Sequence, residues 1–317
     1  MRIYTTMPTN RKSMEIYKQV EQKNILVTYA EYKKNPEKEM EKLLTNMVDL
    51  SMYDCNLIVD SGAYTVWNSG GSITPKELSD FIKYFDTEAG ILFNDILYIA
   101  LDKIPGIQGK KPTEEEMDYA AKVTYDNYIE MNADLRNSVK LMPVFHEGDR
   151  FEYLEKYFRL DCKYIGISPS NDSSVPKRMI WLDKVFGYDF SNIHTHGFGV
   201  TSKKILKTYP LTTVDSVAAV RTAGYGRVYT PFGTYVFTDR YAENQSNKDI
   251  IYQYLKQHDK DNLDKYFKGI GIDTESLIED AYKRLEANLI YYINFEKEIN
   301  NRKPYGVSQL SFLNNVR

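Results

Sequence analysis

The chain has 317 residues, with 41 Lys+Arg against 44 Asp+Glu, a formal net charge of −3, 42% hydrophobic and 27% charged residues. This ordinary globular composition excludes a disordered, collagen-like or low-complexity protein and, with so near-neutral a balance, a chain that is basic all over. Two cysteines, Cys55 and Cys162, exclude a disulfide framework and a four-cysteine zinc site, and fit a reducing cytoplasm.

Taken in order, short runs rich in Ile, Val, Leu and Tyr alternate with longer polar, helix-like stretches. Before the first run, MRIYTTMPTNRKS has no apolar h-region, and nowhere does a stretch approach 18 apolar residues. Neither a secretory signal nor a membrane span is expected, and the chain is placed in the cytoplasm. The runs are Ile25–Ala30, Leu57–Gly62, Ile96–Asp102, Lys140–His146, Tyr164–Ser168, Ile193–Val200, Thr212–Ser216 and Arg227–Pro231. Most lack polar alternation, which suits parallel strands covered on both faces. Between them the pattern predicts helices over Pro36–Leu50, Thr74–Phe85, Thr113–Asn132, Phe151–Phe158, Pro176–Phe186, Ser202–Tyr209 and the short Val217–Ala223. Thr74 before Pro75 reads as an N-cap and first helical residue.

Strand then helix, eight times over, predicts an α/β fold, a (β/α)₈ TIM-type barrel spanning residues 1–241. A doubly wound open sheet is the competitor, but it often carries a glycine-rich first turn that this chain lacks. From about Ala242 the chain turns polar and helical, and residues 242–317 read as a helical C-terminal segment packed on the barrel. Within it, Thr274–Asn301 reads as one long amphipathic helix, with Leu277, Ile278, Ala281, Leu285, Leu289 and Tyr292 on one side.

In such a barrel the chemistry sits at the C-terminal ends of the strands. Asp60, Asp102, His146, Ser168, Gly197–Gly199 and Asp215 occupy those ends. Any one aspartate there could simply cap the next helix. Three in the same position predict a carboxylate-lined mouth of the kind glycosyl chemistry uses, with one group to attack or shield an anomeric carbon and one acid/base. His194 and His196 are alternate residues and share a face, so a metal site is the second reading of that pair and structural hydrogen bonding the first. Between Ser168 and Arg227 lie eight basic residues, Lys177, Arg178, Lys184, Lys203, Lys204, Lys207, Arg221 and Arg227, against the four aspartates 172, 183, 189 and 215. A basic rim there would suit a substrate with phosphates; solvated surface lysines are the plain alternative.

Four stretches then resemble the tRNA-guanine transglycosylase superfamily, and more specifically its DNA-modifying branch of phages and bacteria (DpdA-type). IVDSGAYTVWNSG is similar to the D-S-G-[GA]-[FY]-Q block. DILYIALDKIP is similar to the block with a base-recognising aspartate, HTHGFGV to H-x-x-G-x-G, and TTVDSVAAVR to F-D-[CS]. The resemblance covers roughly residues 55–235. It departs at Thr65, where the family has glutamine, at VFHEGD in place of a glutamine-glycine pair, and in lacking the tRNA enzymes' C-x-C-x-x-C zinc motif.

The resemblance implies a pentosyltransferase that replaces guanine in DNA with a free 7-deazaguanine base. Asp215 would be the nucleophile holding the sugar covalently and Asp60 the acid/base. Asp102, His146, Gly166, Gly197, Gly199, Ser61 and Tyr64 would bind the base and sugar, with Tyr64, Trp67 and Phe198 as aromatic gripping surfaces. Lys177, Arg178, Lys203, Lys204, Lys207 and Arg221 would hold the DNA, in host cytoplasm if phage-encoded. No metal and no cofactor is implied. The alternatives are exchange in tRNA, a metal-dependent barrel hydrolase built on His194 and His196 with His146 and an aspartate, and a non-catalytic nucleic-acid-binding barrel.

Overall fold

In the computed structural model of this chain the described residues are 1–8, 10–107, 110–170, 173–238 and 250–301. Nine parallel strands make one sheet: β1 (Arg2–Thr6), β2 (Asn24–Thr28), β3 (Cys55–Asp60), β4 (Phe93–Ile99), β5 (Leu141–Met142), β6 (Val144–His146), β7 (Tyr164–Ser168), β8 (His194–Gly197) and β9 (Thr213–Ser216). Their order is β5-β4-β3-β2-β1-β9-β8-β7-β6. The two ends of that order are halves of a single stretch, split at Pro143. Leu141 and Met142 pair with β4, whereas Val144 to His146 pair with β7. Proline has no N–H to give to a ladder, so the stretch changes partner there; the Pro143 carbonyl still accepts from Gly166 N at 2.8 Å. The result is an eight-position barrel, closed but for one residue, and the expected TIM-type fold is present.

Helices follow the strands on the outside. Those over Pro75–Ala89 and Glu114–Asp134 start with full capping boxes, Thr74 with Glu77 and Thr113 with Glu116. The barrel interior holds Tyr4, Leu26, Ile58, Leu97, Ile99, Met142 and Val144, joined by Tyr164 and Phe198. The larger apolar cluster lies between sheet and helices.

Three expectations need correction. First, Arg227–Pro231 is not a barrel strand. β10 (Arg227–Thr230) pairs antiparallel with β11 (Gly233–Val236) in a separate hairpin, turning at Pro231–Phe232. Second, the place in the barrel is taken by β1, whose half-polar RIYTT carries too little apolar signal to stand out. It is held between β2 and β9. Third, the long helix breaks at Asp280. That residue is extended (φ −107°, ψ 112°) and caps Ala281–Asn300 by accepting from Tyr282 N at 2.7 Å. Arg284 then donates to the carbonyls of Leu277 and Ile278, at 2.7 and 3.1 Å, which the end of the preceding helix Thr274–Glu279 leaves open.

The helix Ala281–Asn300 lies against β1, β10 and the helix Ala218–Gly224. Glu296 accepts from Ile3 N at 2.6 Å, and Asn288 bridges Tyr229 N, Ala219 O and Arg227 O. Residues 242–249 and 302–317 of the expected tail lie outside the described residues.

Candidate active site

Strand periodicity places the polar groups at one end of the barrel. Asp60 is two residues beyond interior Ile58, and His146 two beyond interior Val144. Asp215 follows Thr213, whose hydroxyl lies 2.9 Å from the Nδ1 of buried His196. Three strand ends therefore deliver Asp60, His146 and Asp215 to one mouth, and the loop after β4 adds Asp102.

Asp60 Oδ2 accepts from Thr28 Oγ1 at 2.9 Å and from Gly62 N at 3.0 Å. Thr28 is its register partner on β2. Gly62 has φ +76°, and a Cβ there would stand 2.8 Å from Ala30 N, so only glycine turns this tightly and aims its N–H back at the carboxylate. No basic side chain lies within ion-pair distance of Asp60 among the described residues. Burial, then the neighbouring charge of Asp102 and more weakly that of Asp215, outweigh the two hydrogen bonds and push the Asp60 carboxyl up to about 6.

Asp102 is placed differently. Its Oδ2 lies 3.0 Å from His146 Nε2, and its Oδ1 accepts from Ser61 Oγ at 3.2 Å. On the far side of the ring, His146 Nδ1 is 3.5 Å from Asp149 Oδ2, which also accepts the His146 backbone N–H at 2.9 Å. Burial opposes the imidazolium, but the hydrogen bonds and charges of Asp102 and Asp149 overcome it and raise His146 to about 10. The mouth thus holds a fixed cation clamped between two carboxylates.

Asp215 Oδ1 accepts from Gly199 N at 2.9 Å. His196 Nε2 stands 3.3 Å from the same oxygen. The distance satisfies an ion pair, but the direction is off the hydrogen-bond line, so Nε2 is buried with no hydrogen bond closed on it among the described residues.

The remaining expected site residues are scattered. Ser61 is buried beside Asp102. Gly166 makes room for a side chain: a Cβ there would lie 2.4 Å from Phe198 Cε2, so the Phe198 ring packs inside the barrel against it. Gly197 faces outward toward Leu211, Val200 and Val214. Tyr64 is 59% exposed on the helix Ala63–Ser69, its ring 5.9 Å from that of Trp67. The expected basic rim divides. Lys177 and Lys204 are exposed, and Arg178 Nε donates to Ser173 O. Lys203 lies over the ring of Tyr291, and Lys207 pairs with Glu298 and lies over Phe295, so both turn to the outer helix Ala281–Asn300. Arg221 lies over Tyr225.

Two groups of the site escape the sequence reading. Thr28 ends an apolar strand and looks like an ordinary strand residue; only register with Asp60 reveals it. Asp149 had a visible signal, since HEGD sets an acid three residues after His146 across a glycine.

No family model matches the chain, and no curated protein matches it. Among solved structures, the YdjI aldolase from Escherichia coli K12 is 7% identical, over 93% of this chain and 90% of that one, with a TM-score of 0.47. A monomeric dihydrodipicolinate synthase variant is 14% identical over 93% and 97%, with a TM-score of 0.40. KGPDC from Streptococcus mutans is 10% identical over 69% and 89%, with a TM-score of 0.37. Likenesses this weak say nothing of substrate.

The expected transglycosylase membership is corrected. The structures found bear other names, and no family match supports that superfamily. With it fall the pentosyltransferase activity and the guanine exchange in DNA or tRNA. The hydrolase alternative is corrected too. His194 is exposed at the start of β8, opposite Tyr164 and at the far end of the barrel from the mouth. Among the described residues no three His, Cys, Asp or Glu side chains gather as metal ligands. Among the same residues no helix is long and apolar enough to cross a membrane.

Proposed function

We propose that this chain is an enzyme working by acid–base catalysis at the barrel mouth, with Asp60 as the carboxyl that takes and gives the proton. The observation that supports this is the placement of Asp60. It is half-buried beside two other carboxylates, has no cationic partner among the described residues, and is pushed up to about 6. A group whose proton affinity lies near neutral pH transfers protons in both directions most effectively, typically worth ~10²–10⁴-fold in rate. Asp102, paired with the His146 imidazolium at 3.0 Å, has the opposite task of holding still. A carboxylate accepts up to about four hydrogen bonds, so Asp102 and Asp215 both keep lone pairs for a substrate. Such a mouth suits a small molecule that presents hydroxyl or amino donors.

The test is metabolite consumption. A small-molecule cell extract is incubated with the wild-type chain and with Asp60→Asn, and both are followed by mass spectrometry. The expected result is a compound consumed by the wild type and at least a hundredfold more slowly by the variant. Equal consumption by the two proteins would remove Asp60 from the chemistry.

A further inference from the structure

Beside Asp102 the barrel opens into a cleft of about 490 Å³. It runs between the helix Ala63–Ser69, the 101–107 loop and the helix Glu114–Asp134. Its walls are chiefly apolar, with Val66, Trp67, Ile73, Ile104, Ile107 and Val123 among them, and Asp102 lies in its lining. That volume and that mixture, many apolar groups and a few polar ones, are typical of a small-molecule site. The walls are also held in place. Trp67 Nε1 donates to Gly106 O at 3.0 Å, which fixes the indole and ties the helix to the loop across the cleft. Asn127 donates to Leu101 O at 3.0 Å, and Thr124 accepts from Lys103 N at 2.9 Å, which anchors the other wall.

We propose that this cleft binds the apolar, aromatic arm of the substrate, and that Asp102 receives a cationic nitrogen at the arm's inner end. The word substrate rests on the reading above; the binding does not. Two features carry the assignment. The cleft is continuous with the mouth through Asp102, the one residue common to both. Its inner end is also negative. Asp102 and Asp149 flank the imidazolium of His146, Asp60 and Asp215 stand at the same mouth, and Lys103, the other charged residue of the lining, is exposed. An apolar body entering from solvent finds Trp67 held in place, and an ammonium at its tip finds a mouth with more carboxylates than cations.

The probe is 2-naphthylmethylamine, with 2-naphthoate as the same ring bearing the opposite charge. Binding to the full chain is followed by tryptophan fluorescence and by calorimetry. The expected result is saturable one-to-one binding of the amine, with the carboxylate at least tenfold weaker. Val123→Trp and, from the facing wall, Ile104→Trp fill the cleft, and each should weaken the amine tenfold or more; thermal melts verify that each variant folds. Failure to saturate, or binding unchanged in both filled variants, overturns the cleft as the site. Equal affinity for the two probes overturns the assignment of Asp102 to the cation. Because no turnover is read, this outcome is separate from the Asp60 test: binding can hold while Asp60→Asn still consumes its compound, and the reverse.

Discussion

Replacing Asp60 by asparagine should make the protein more stable, and increasingly so as the pH rises. The carboxyl is held at about 6, against about 3.8 in the unfolded chain. Between those values the folded protein keeps a proton that the unfolded chain has released. Stability from this group is therefore full below pH 3.8 and is lost as the pH climbs through 6. One pKa unit corresponds to about 1.4 kcal/mol, so ionised Asp60 costs the fold up to about 3 kcal/mol at pH 8. The group is partly exposed, and solvent screening makes about 2 kcal/mol the working expectation. Asparagine has the right shape for the exchange. Thr28 and Gly62 both donate to one oxygen, Oδ2, and the amide oxygen takes that place. The new NH₂ then replaces the oxygen that suffers the charge of Asp102. The assay is urea unfolding of both proteins from pH 4 to pH 8, followed by circular dichroism. The difference should be near zero at pH 4 and grow to about 2 kcal/mol in favour of the variant at pH 8. A difference that is flat with pH, or that turns against the variant as pH rises, would refute the electrostatic account of Asp60. The acid–base assignment would lose its basis with it.

The clamp around His146 works in the other direction. Its pKa, raised from 6.5 to about 10, gives stability that is full below 6.5 and lost as the pH passes 10. His146→Gln should remove that dependence and cost ~3–5 kcal/mol at pH 7, because two buried carboxylates lose their cation; urea unfolding between pH 6.5 and 10 checks both. Gly166→Ala should destabilise by ~1–3 kcal/mol, because a Cβ cannot stand 2.4 Å from the Phe198 ring, and adding Phe198→Leu should recover most of that loss in a thermal melt. Arg284→Met should cost ~3 kcal/mol or more, leaving the carbonyls of Ala223, Leu277 and Ile278 without its donors, and protease cutting near Asp280 should quicken in proportion.

Much of the barrel was legible because its strands are covered on both faces. Seven of the eight barrel positions announce themselves as apolar runs, and Asp60, Asp102 and Asp215 stand out where those runs stop. The failures share a cause. β1 begins one residue into the chain with a charged side chain, and its burial comes from neighbours far away in sequence, β9 and the helix Ala281–Asn300. The hairpin residues Arg227–Thr230 carry as strong a strand signal as any barrel run. Only the proline-phenylalanine-glycine turn after them, with a second run behind it, told of a local antiparallel partner. At the site, position was readable and partnership was not. The His146 clamp needs Asp102 from one strand end and Asp149 from the next loop. The Thr28 bond to Asp60 exists only through β-sheet register.

The division of labour in the mouth follows from that same cross-strand geometry. Asp60 and Asp102 are both aspartates at the ends of neighbouring strands, and each faces the other's charge. What separates them is one side chain from the far side of the split strand. Pro143 turns Val144–His146 away from β4 and onto β7, and His146 then reaches back to Asp102 at 3.0 Å. Asp149 holds that imidazole protonated from its other side, and Asp102 is its ion-pair partner. Among the described residues Asp60 has no basic group within ion-pair distance, and it is the carboxyl held up at about 6. Two like groups with unlike surroundings are thereby assigned unlike roles, one to transfer a proton and one to hold. Moving the cation should move the roles: in His146→Gln, where Asp102 becomes the second unpaired carboxylate, the proton near neutral pH should be shared between Asp60 and Asp102. Carbon NMR of labelled aspartates would then show a second carboxyl titrating beside Asp60 in the range near 6. A spectrum with Asp60 alone still titrating there would mean that burial, and not the placement of His146, decides which aspartate carries the proton.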